Sequence, residues 1–127
     1  MIVRGLKIGP ISPAADGPLY EQIVAGVKRE VGAGRLLPGA ALPSVRALAA
    51  DLLVSVITVK RAYEELERDG IIYSRQGLGT FIAETGAEET RRAARDAARQ
   101  HLRAAAKAAR DAGLSEKDLI ELLRKEF

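Results

Sequence analysis

The stretch Gly70–Ile82 constrains the fold of this chain more than any other. Two short β-prone runs flank a tip, Arg75–Gly79, that contains two glycines and a cation but no acidic residue. Glycine adopts the positive φ angles that tight turns require, so the pattern predicts a β-hairpin with a basic tip. The hairpin follows two short helical segments joined by a tight turn. This order predicts a winged helix-turn-helix domain.

The segments before the hairpin carry clear helix start and stop signals. Asp16-Gly17-Pro18 precedes a first helix that carries an apolar stripe from Leu19 and ends at Gly32 and Gly34. Ser44 and Ser55 are good N-caps for a second and a third helix, and Gly70 ends the third. The apolar positions of the third helix repeat at three and four, at Val59, Ala62, Tyr63 and Leu66. We therefore predict a mostly α (α+β) fold, with recognition helix 55–69 and wing 71–83.

The composition changes sharply after Gly86. Alanine and charged residues dominate and neither glycine nor proline occurs until Gly113, which favours a long helix; Ser115 then caps a short one. The apolar face of this helical hairpin is too narrow to stand alone, and alanine lets helices approach closely, so we expect it to pack on a second copy. The predicted organisation is an N-terminal arm (1–16), a winged helix-turn-helix domain (17–84) and a dimerisation element (87–127). The predicted dimerisation residues are Ala98, Leu102, Ala105, Leu119, Ile120, Leu123 and Phe127.

Composition excludes several classes of protein. The 127 residues contain no cysteine, which excludes disulfides and thiol chemistry and fits a reducing compartment. The N-terminus lacks the apolar run of a signal peptide, and no stretch approaches the length of a transmembrane helix. We therefore expect a cytoplasmic protein without a membrane partner. A net charge of +3 permits a polyanionic partner without requiring one.

A winged helix-turn-helix domain places its third helix in the major groove of double-stranded DNA, with the first turn of that helix facing base edges. Lysine and arginine donate to phosphates or bases, and a guanidinium pairs bidentately with guanine. Arg46 lies in the first turn of the preceding helix, where the positive helix end also favours a phosphate. The predicted DNA-binding residues are Ser44, Arg46, Ser55, Val56, Ile57, Thr58, Lys60, Arg61, Arg75, Gln76, Gly77 and Gly79.

Val56 and Ile57 are unusual at the head of a recognition helix. Other residues already fill the core face of that helix, so these two side chains are left pointing at solvent or at the groove. Contact with a thymine methyl group is one interpretation, and an exposed or locally packed side chain is the other.

The sequence contains no arrangement of residues that is typical of a catalytic site. The single histidine, His101, lies in an alanine-rich segment without a nearby serine or metal-spaced carboxylate. Gly77-Leu78-Gly79 precedes a strand, whereas a nucleotide-binding glycine loop precedes a helix. We predict no catalytic residues, no metal and no cofactor, and the sequence identifies no small-molecule effector.

Several blocks in register resemble the N-terminal domain of GntR-family bacterial transcription regulators. These blocks are Pro18–Ile23, Leu37-Pro38-Gly39, Leu42–Ala49, Thr58–Leu66 and Gly77–Ile82. The short C-terminal helical pair resembles the YtrA subfamily of that family. The resemblance implies a homodimeric repressor that binds an inverted-repeat operator.

The resemblance also assigns positions. Arg46, Thr58, Lys60 and the tip Gln76-Gly77 fall where the family contacts DNA. Two features depart from the family pattern. Leu53 replaces the usual turn glycine, and Val56-Ile57 replace polar residues. These departures motivate an alternative function, a protein-interaction or effector-sensing module on a winged-helix scaffold that has lost sequence-specific DNA reading.

Overall fold

The computed structural model describes Ile8, Ile11, Ser12 and residues 17–127. Most of the predicted arm, 1–16, therefore lies outside the described residues. Within them the chain forms five helices and three short strands, which confirms the predicted α+β class and the winged helix-turn-helix followed by a helical hairpin. The elements are α1 (Leu19–Gly32), β1 (Ala41–Leu42), α2 (Val45–Leu52), α3 (Val56–Arg68), β2 (Ile72–Arg75), β3 (Gly79–Ile82), α4 (Glu84–Asp111) and α5 (Glu116–Glu126).

The wing is the hairpin of β2 and β3, and β1 completes a three-stranded antiparallel sheet of order β1-β3-β2. Phe81 lies opposite Tyr73 on one side and Ala41 on the other. The side chains of Ile72 and Ile82, which lie opposite each other, are buried, whereas the tip is exposed. Burial of the strand bases fixes the wing on the domain and leaves its tip free.

One core holds the domain together. The most deeply buried large side chains come from α1, α2, α3 and the sheet, and from Ile8 before α1: Ile8, Ile23, Val27, Val31, Leu48, Val59, Leu66, Ile72 and Ile82. The apolar face predicted for α3 is buried as expected, so the opposite face of this helix remains available to a partner.

The predicted caps are confirmed. Ser44 Oγ accepts from the Ala47 N–H and Ser55 Oγ from the Thr58 N–H, each at 3.1 Å. Gly70 has φ +75° just after α3. Leu53 ends α2 in the left-handed region at φ 57° and ψ 44°, the conformation that glycine adopts most easily.

Helix α4 begins at Glu84, earlier than the change in composition after Gly86 suggested. The Ala83 N–H donates to the Ile71 carbonyl, and a Cβ on Gly86 would lie only 2.0 Å from the Gly70 oxygen. The first turn of α4 is therefore packed against the end of α3, and Ala87 is fully buried. The compact unit that contains the winged domain extends to Ala94.

Residues Arg95–Phe127 form a second compact unit. Gly113, at φ +75°, separates its two helices, and Ser115 and Asp118 form a reciprocal capping box at the start of α5. The pKa of Asp118 is lowered because its carboxylate accepts from the Ser115 backbone N–H. Among the described helices, none has the length and apolarity needed to cross a membrane.

Candidate nucleic-acid interface

The head of α3 presents two apolar side chains to solvent. Val56 is 45% exposed and Ile57 is 78% exposed, whereas Val59, one turn further, is completely buried. The structure thus excludes a core role for Val56 and Ile57. Leu53, in the turn before α3 and three residues before Val56, is 91% exposed.

The two hydroxyl groups of this turn are engaged with each other. Ser55 Oγ lies 2.7 Å from Thr58 Oγ1 and also accepts from the Thr58 N–H. Both side chains are exposed or half-buried, so they lie near the surface, and their mutual bond leaves one hydroxyl hydrogen to donate elsewhere.

Two cations follow on the exposed face of α3, and their surroundings differ. Lys60 is exposed and forms no ion pair within the described part of the chain. Arg61 stacks on Tyr20 of α1, with its guanidinium carbon 3.9 Å from the ring centre, and Arg61 Nη2 donates to the Tyr20 hydroxyl at 3.3 Å. Arg61 is thus held by a side chain of another helix.

Tyr20 is a residue of this region that sequence reasoning missed as a site residue. Its hydroxyl donates to Glu21 Oε1 at 3.2 Å, and desolvation together with this bond raises its pKa. The phenol therefore remains a neutral donor at ordinary pH. Tyr20 lies in the block Pro18–Ile23, which resembles the GntR family. The sequence around it gave no indication that its ring contacts a residue of α3.

The start of α2 is a second positive feature. Ser44 Oγ is occupied by the cap, and Arg46 is exposed with no ion pair among the described residues. Neither α2 nor α3 has an acidic residue in its first turn. The positive ends of both helix dipoles are therefore left uncompensated, which favours an anion at each.

The charge along α3 is asymmetric. Its first half carries Lys60 and Arg61 and no acid, whereas its second half carries Glu64, Glu65 and Glu67 against a single cation, Arg68. Glu67 is engaged with the wing, since its Oε1 accepts from the Ser74 N–H at 3.3 Å. A polyanion is thus attracted to the leading half of α3 and repelled from the trailing half.

The tip of the wing gathers the remaining predicted residues. Arg75, Gln76, Gly77 and Gly79 are all exposed, and the Leu78 N–H donates to the Arg75 carbonyl to close the turn. Gly77 has φ +77° and nothing within 4 Å of the place where a Cβ would stand, so a phosphate backbone has room to approach there.

Aromatic rings brace the wing behind its tip. The rings of Tyr73 and Phe81 lie 5.6 Å apart, and the Arg75 guanidinium lies 5.6 Å from the centre of the Tyr73 ring. The stack supports Arg75 on the face of the hairpin that carries both rings.

The predicted dimerisation residues all lie in the second unit. Leu119 is half-buried, and the others are exposed, including Phe127 at the end of the chain. None of the side chains of α5 is buried.

Residues 19–82 match the sequence profile described as "Bacterial regulatory proteins, gntR family". The chain belongs to the GntR family. Among its curated GntR relatives, it is 46% identical over 74 residues to the HTH-type transcriptional repressor YtrA of Bacillus subtilis, in a match that covers 58% of this chain and 57% of YtrA. It is 38% identical over 104 residues to the HTH-type transcriptional regulator YhcF of the same organism, covering 82% of this chain and 85% of YhcF.

Solved structures agree with this assignment. A GntR family transcriptional regulator from Listeria monocytogenes superposes with a TM-score of 0.64 at 32% identity, covering 87% of this chain and 96% of that one. The DNA-binding domain of AraR, solved in complex with operator ORE1, superposes with a TM-score of 0.52 at 32% identity, covering 59% of this chain and 92% of that one.

These matches confirm the resemblance to the YtrA subfamily and the prediction that the chain is not an enzyme. The protein is a GntR-family transcriptional regulator with a DNA-binding winged helix.

Proposed function

We propose that this GntR protein is a homodimeric repressor that binds an inverted-repeat DNA operator in the cytoplasm. Helix α3 enters the major groove, and the wing contacts the flanking backbone or minor groove. The observation that carries the proposal is the exposed, acid-free leading half of α3, flanked by the uncompensated start of α2 and the basic wing tip.

Most of the predicted DNA-binding residues receive a role in this proposal. Arg46 and the backbone N–H groups at the start of α2 bind a phosphate, because the acid-free helix start and an exposed guanidinium in its first turn both favour an anion. Lys60 and Arg61 contact phosphates or base edges from α3. Gln76 and Gly77 let the wing approach the backbone closely, with Arg75 beside them.

Ser55 and Thr58 act through the geometry of the helix start. Their hydroxyls bond to each other and to the backbone, so they fix the first turn of α3 in place. The turn that faces the bases is therefore preorganised, and binding does not have to order it.

The second unit supplies the proposed dimer contact. Exposed leucine, isoleucine and phenylalanine side chains lie on the C-terminal part of α4 and on the short α5 with its last residue, and α5 buries none of its residues. A soluble domain rarely leaves such a face uncovered, and a second copy of the same face supplies apolar surface of the same kind. The proposed contact residues are Ala98, Leu102, Ala105, Leu119, Ile120, Leu123 and Phe127.

Repression is supported by the relatives, because YtrA is named a transcriptional repressor and the chain spans 57% of it in the match. A dimer seated on an operator blocks other proteins from the same DNA.

Selection of bound sequences from random duplex DNA tests operator binding directly. We expect an inverted repeat whose half-sites lie about one helical turn, or a multiple of it, apart. Anisotropy titrations of the selected duplex at several salt concentrations should give an affinity that falls steeply with salt, as phosphate contacts release counterions. Recovery of no enriched sequence, with no salt-dependent binding, would favour the interaction-module alternative.

The dimer contact has its own test. Leu102→Glu places a charge on the exposed apolar face of α4, and Gln100→Glu adds the same charge on a different side of the same helix. Sedimentation velocity should show a monomer for Leu102→Glu and a dimer for Gln100→Glu. A dimer in both variants would remove Leu102 from the contact.

A further inference from the structure

The first turn of α3 offers little to a base edge that seeks a hydrogen bond. The Ser55 and Thr58 hydroxyls lie 2.7 Å apart, and Ser55 Oγ also accepts the Thr58 N–H. Only one of the two hydroxyl hydrogens is used between them, so this pair leaves a single O–H donor for a base edge. The hydroxyl oxygens of the turn therefore serve mainly the helix start.

The head of α3 and the turn before it expose methyl groups. Ile57 is 78% exposed, Val56 is 45% exposed and Leu53 is 91% exposed, and none of the three belongs to the buried core. When a partner covers exposed apolar surface, the removal of that surface from water stabilises the complex by roughly 25 cal/mol per Å². The leading turn thus favours a partner that brings apolar atoms to it.

The surroundings of this apolar patch indicate a polyanion rather than an apolar protein surface. Lys60 and Arg46 are exposed and unpaired within the described residues, and the first turns of α2 and α3 contain no carboxylate. An apolar patch followed within one helical turn by the exposed Lys60 matches a groove that is lined by phosphates and carries methyl groups on its floor.

One base-edge group in the major groove has that character. Thymine carries a 5-methyl group, whereas the other major-groove groups are hydrogen-bond donors and acceptors that lose hydration against an aliphatic side chain. We propose that Val56 and Ile57 read 5-methyl groups of pyrimidines, so that each operator half-site carries thymine where the head of α3 lies. This inference rests on the operator binding proposed above and specifies its chemistry.

The proposal separates methyl contact from hydrogen bonding. Uracil differs from thymine only by the missing methyl group and keeps the same donors and acceptors. A duplex with deoxyuridine in place of one thymidine therefore removes the proposed contact alone. A 5-methylcytosine in place of a cytosine adds a methyl group without changing the pairing.

The experiment uses the full chain and the duplex selected from random DNA. Each thymidine of one half-site is replaced singly by deoxyuridine, and affinity is measured by fluorescence anisotropy at fixed salt. We expect one or two positions at which the affinity drops about fourfold, the effect of one buried methyl group. All other positions should change little.

Variants assign the effect to side chains. Ile57→Ala and Val56→Ala shorten exposed side chains, so the fold should be retained, which circular dichroism checks. At the sensitive positions, one of these variants should bind the thymidine and deoxyuridine duplexes equally well. Lys60→Ala is the matched control: it should weaken binding to both duplexes and preserve their ratio.

The outcomes separate the two proposals. Equal affinity for thymidine and deoxyuridine duplexes at every position, or a thymidine preference that survives both alanine variants, overturns the methyl readout and leaves operator binding intact. A half-site with no thymine also overturns it. Failure to select any duplex overturns the operator proposal, and the methyl readout with it.

Discussion

The guanidinium of Arg61 lies over the ring of Tyr20 at 3.9 Å and also donates to its hydroxyl, which joins the recognition helix α3 to the first turn of α1. The two residues are 41 positions apart in sequence. Because arginine has many rotamers, a ring that holds its head group reduces the entropy lost when it binds DNA. Tyr20 is therefore a positioning residue in the proposed interface.

Replacing this ring should weaken binding to the operator. We expect Tyr20→Leu to reduce the binding free energy by roughly 0.5–1 kcal/mol, the range for an exposed cation–π contact. Tyr20→Phe keeps the ring and should retain most of the affinity. Anisotropy titrations measure both, and equal binding by Tyr20→Leu and the unaltered protein would show that the contact serves only the fold.

The start of α2 should contribute a phosphate contact through Arg46. Arg46→Ala should weaken operator binding by roughly 1–3 kcal/mol and reduce the slope of log affinity against log salt by about 1. Arg68→Ala is the control, because Arg68 is an exposed arginine at the opposite end of α3. Equal effects of the two variants would mean that only overall charge matters.

Leu53 has a conformation that its side chain opposes. A left-handed residue with a Cβ costs about 1–2 kcal/mol, and the greater flexibility of glycine in the unfolded chain offsets roughly 0.5–1 kcal/mol of that. Since the Leu53 side chain is 91% exposed, its removal loses little burial. We expect Leu53→Gly to raise the free energy of unfolding in urea by up to about 1 kcal/mol. Leu53→Ala keeps the Cβ and should bring no gain.

Gly86 is required by a close backbone contact. A Cβ at this position would lie 2.0 Å from the Gly70 oxygen, which is backbone and cannot rotate away. We expect Gly86→Ala to lower the free energy of unfolding by about 1–3 kcal/mol, the cost typical of overpacking. Thr85→Ala, an exposed neighbour in the same turn, should change it far less. Comparable denaturation midpoints for the two variants would contradict the tight contact.

Tyr63 should make stability depend on alkaline pH. Its buried hydroxyl donates to the Pro43 carbonyl at 2.8 Å, and burial raises its pKa well above the usual value. Because the folded-state pKa is the higher one, the contribution of the neutral phenol is complete below about pH 10 and is lost as the pH rises further.

The matched variant is Tyr63→Phe. It should lose about 1 kcal/mol at neutral pH, from the missing hydrogen bond, and its stability should fall less steeply above about pH 10. Urea denaturation across the pH range measures both effects. Parallel curves for the two proteins would exclude Tyr63 as the source of the alkaline loss.

The positions at which helices begin and end, and where the wing turns, could be predicted from the sequence alone. Ser44 and Ser55 cap α2 and α3, Gly70 ends α3, and the glycines of the wing tip allow its turn. These features depend on the backbone preferences of three or four neighbouring residues, so a short segment of sequence is enough to predict them. The exposure of Val56 and Ile57 followed in the same way, from the period of α3 alone.

The contacts between residues that are far apart in the sequence became known only from the folded structure. Arg61 stacks on Tyr20. Phe81 lies opposite Ala41 in the sheet, and Gly86 packs against Gly70. No local sequence pattern predicts these contacts. The start of α4 at Glu84 was hidden for the same reason, because the composition changes after Gly86 while the packing begins before it. The separation between packed elements is set by how side chains fill a shared core, and that is a property of the whole domain.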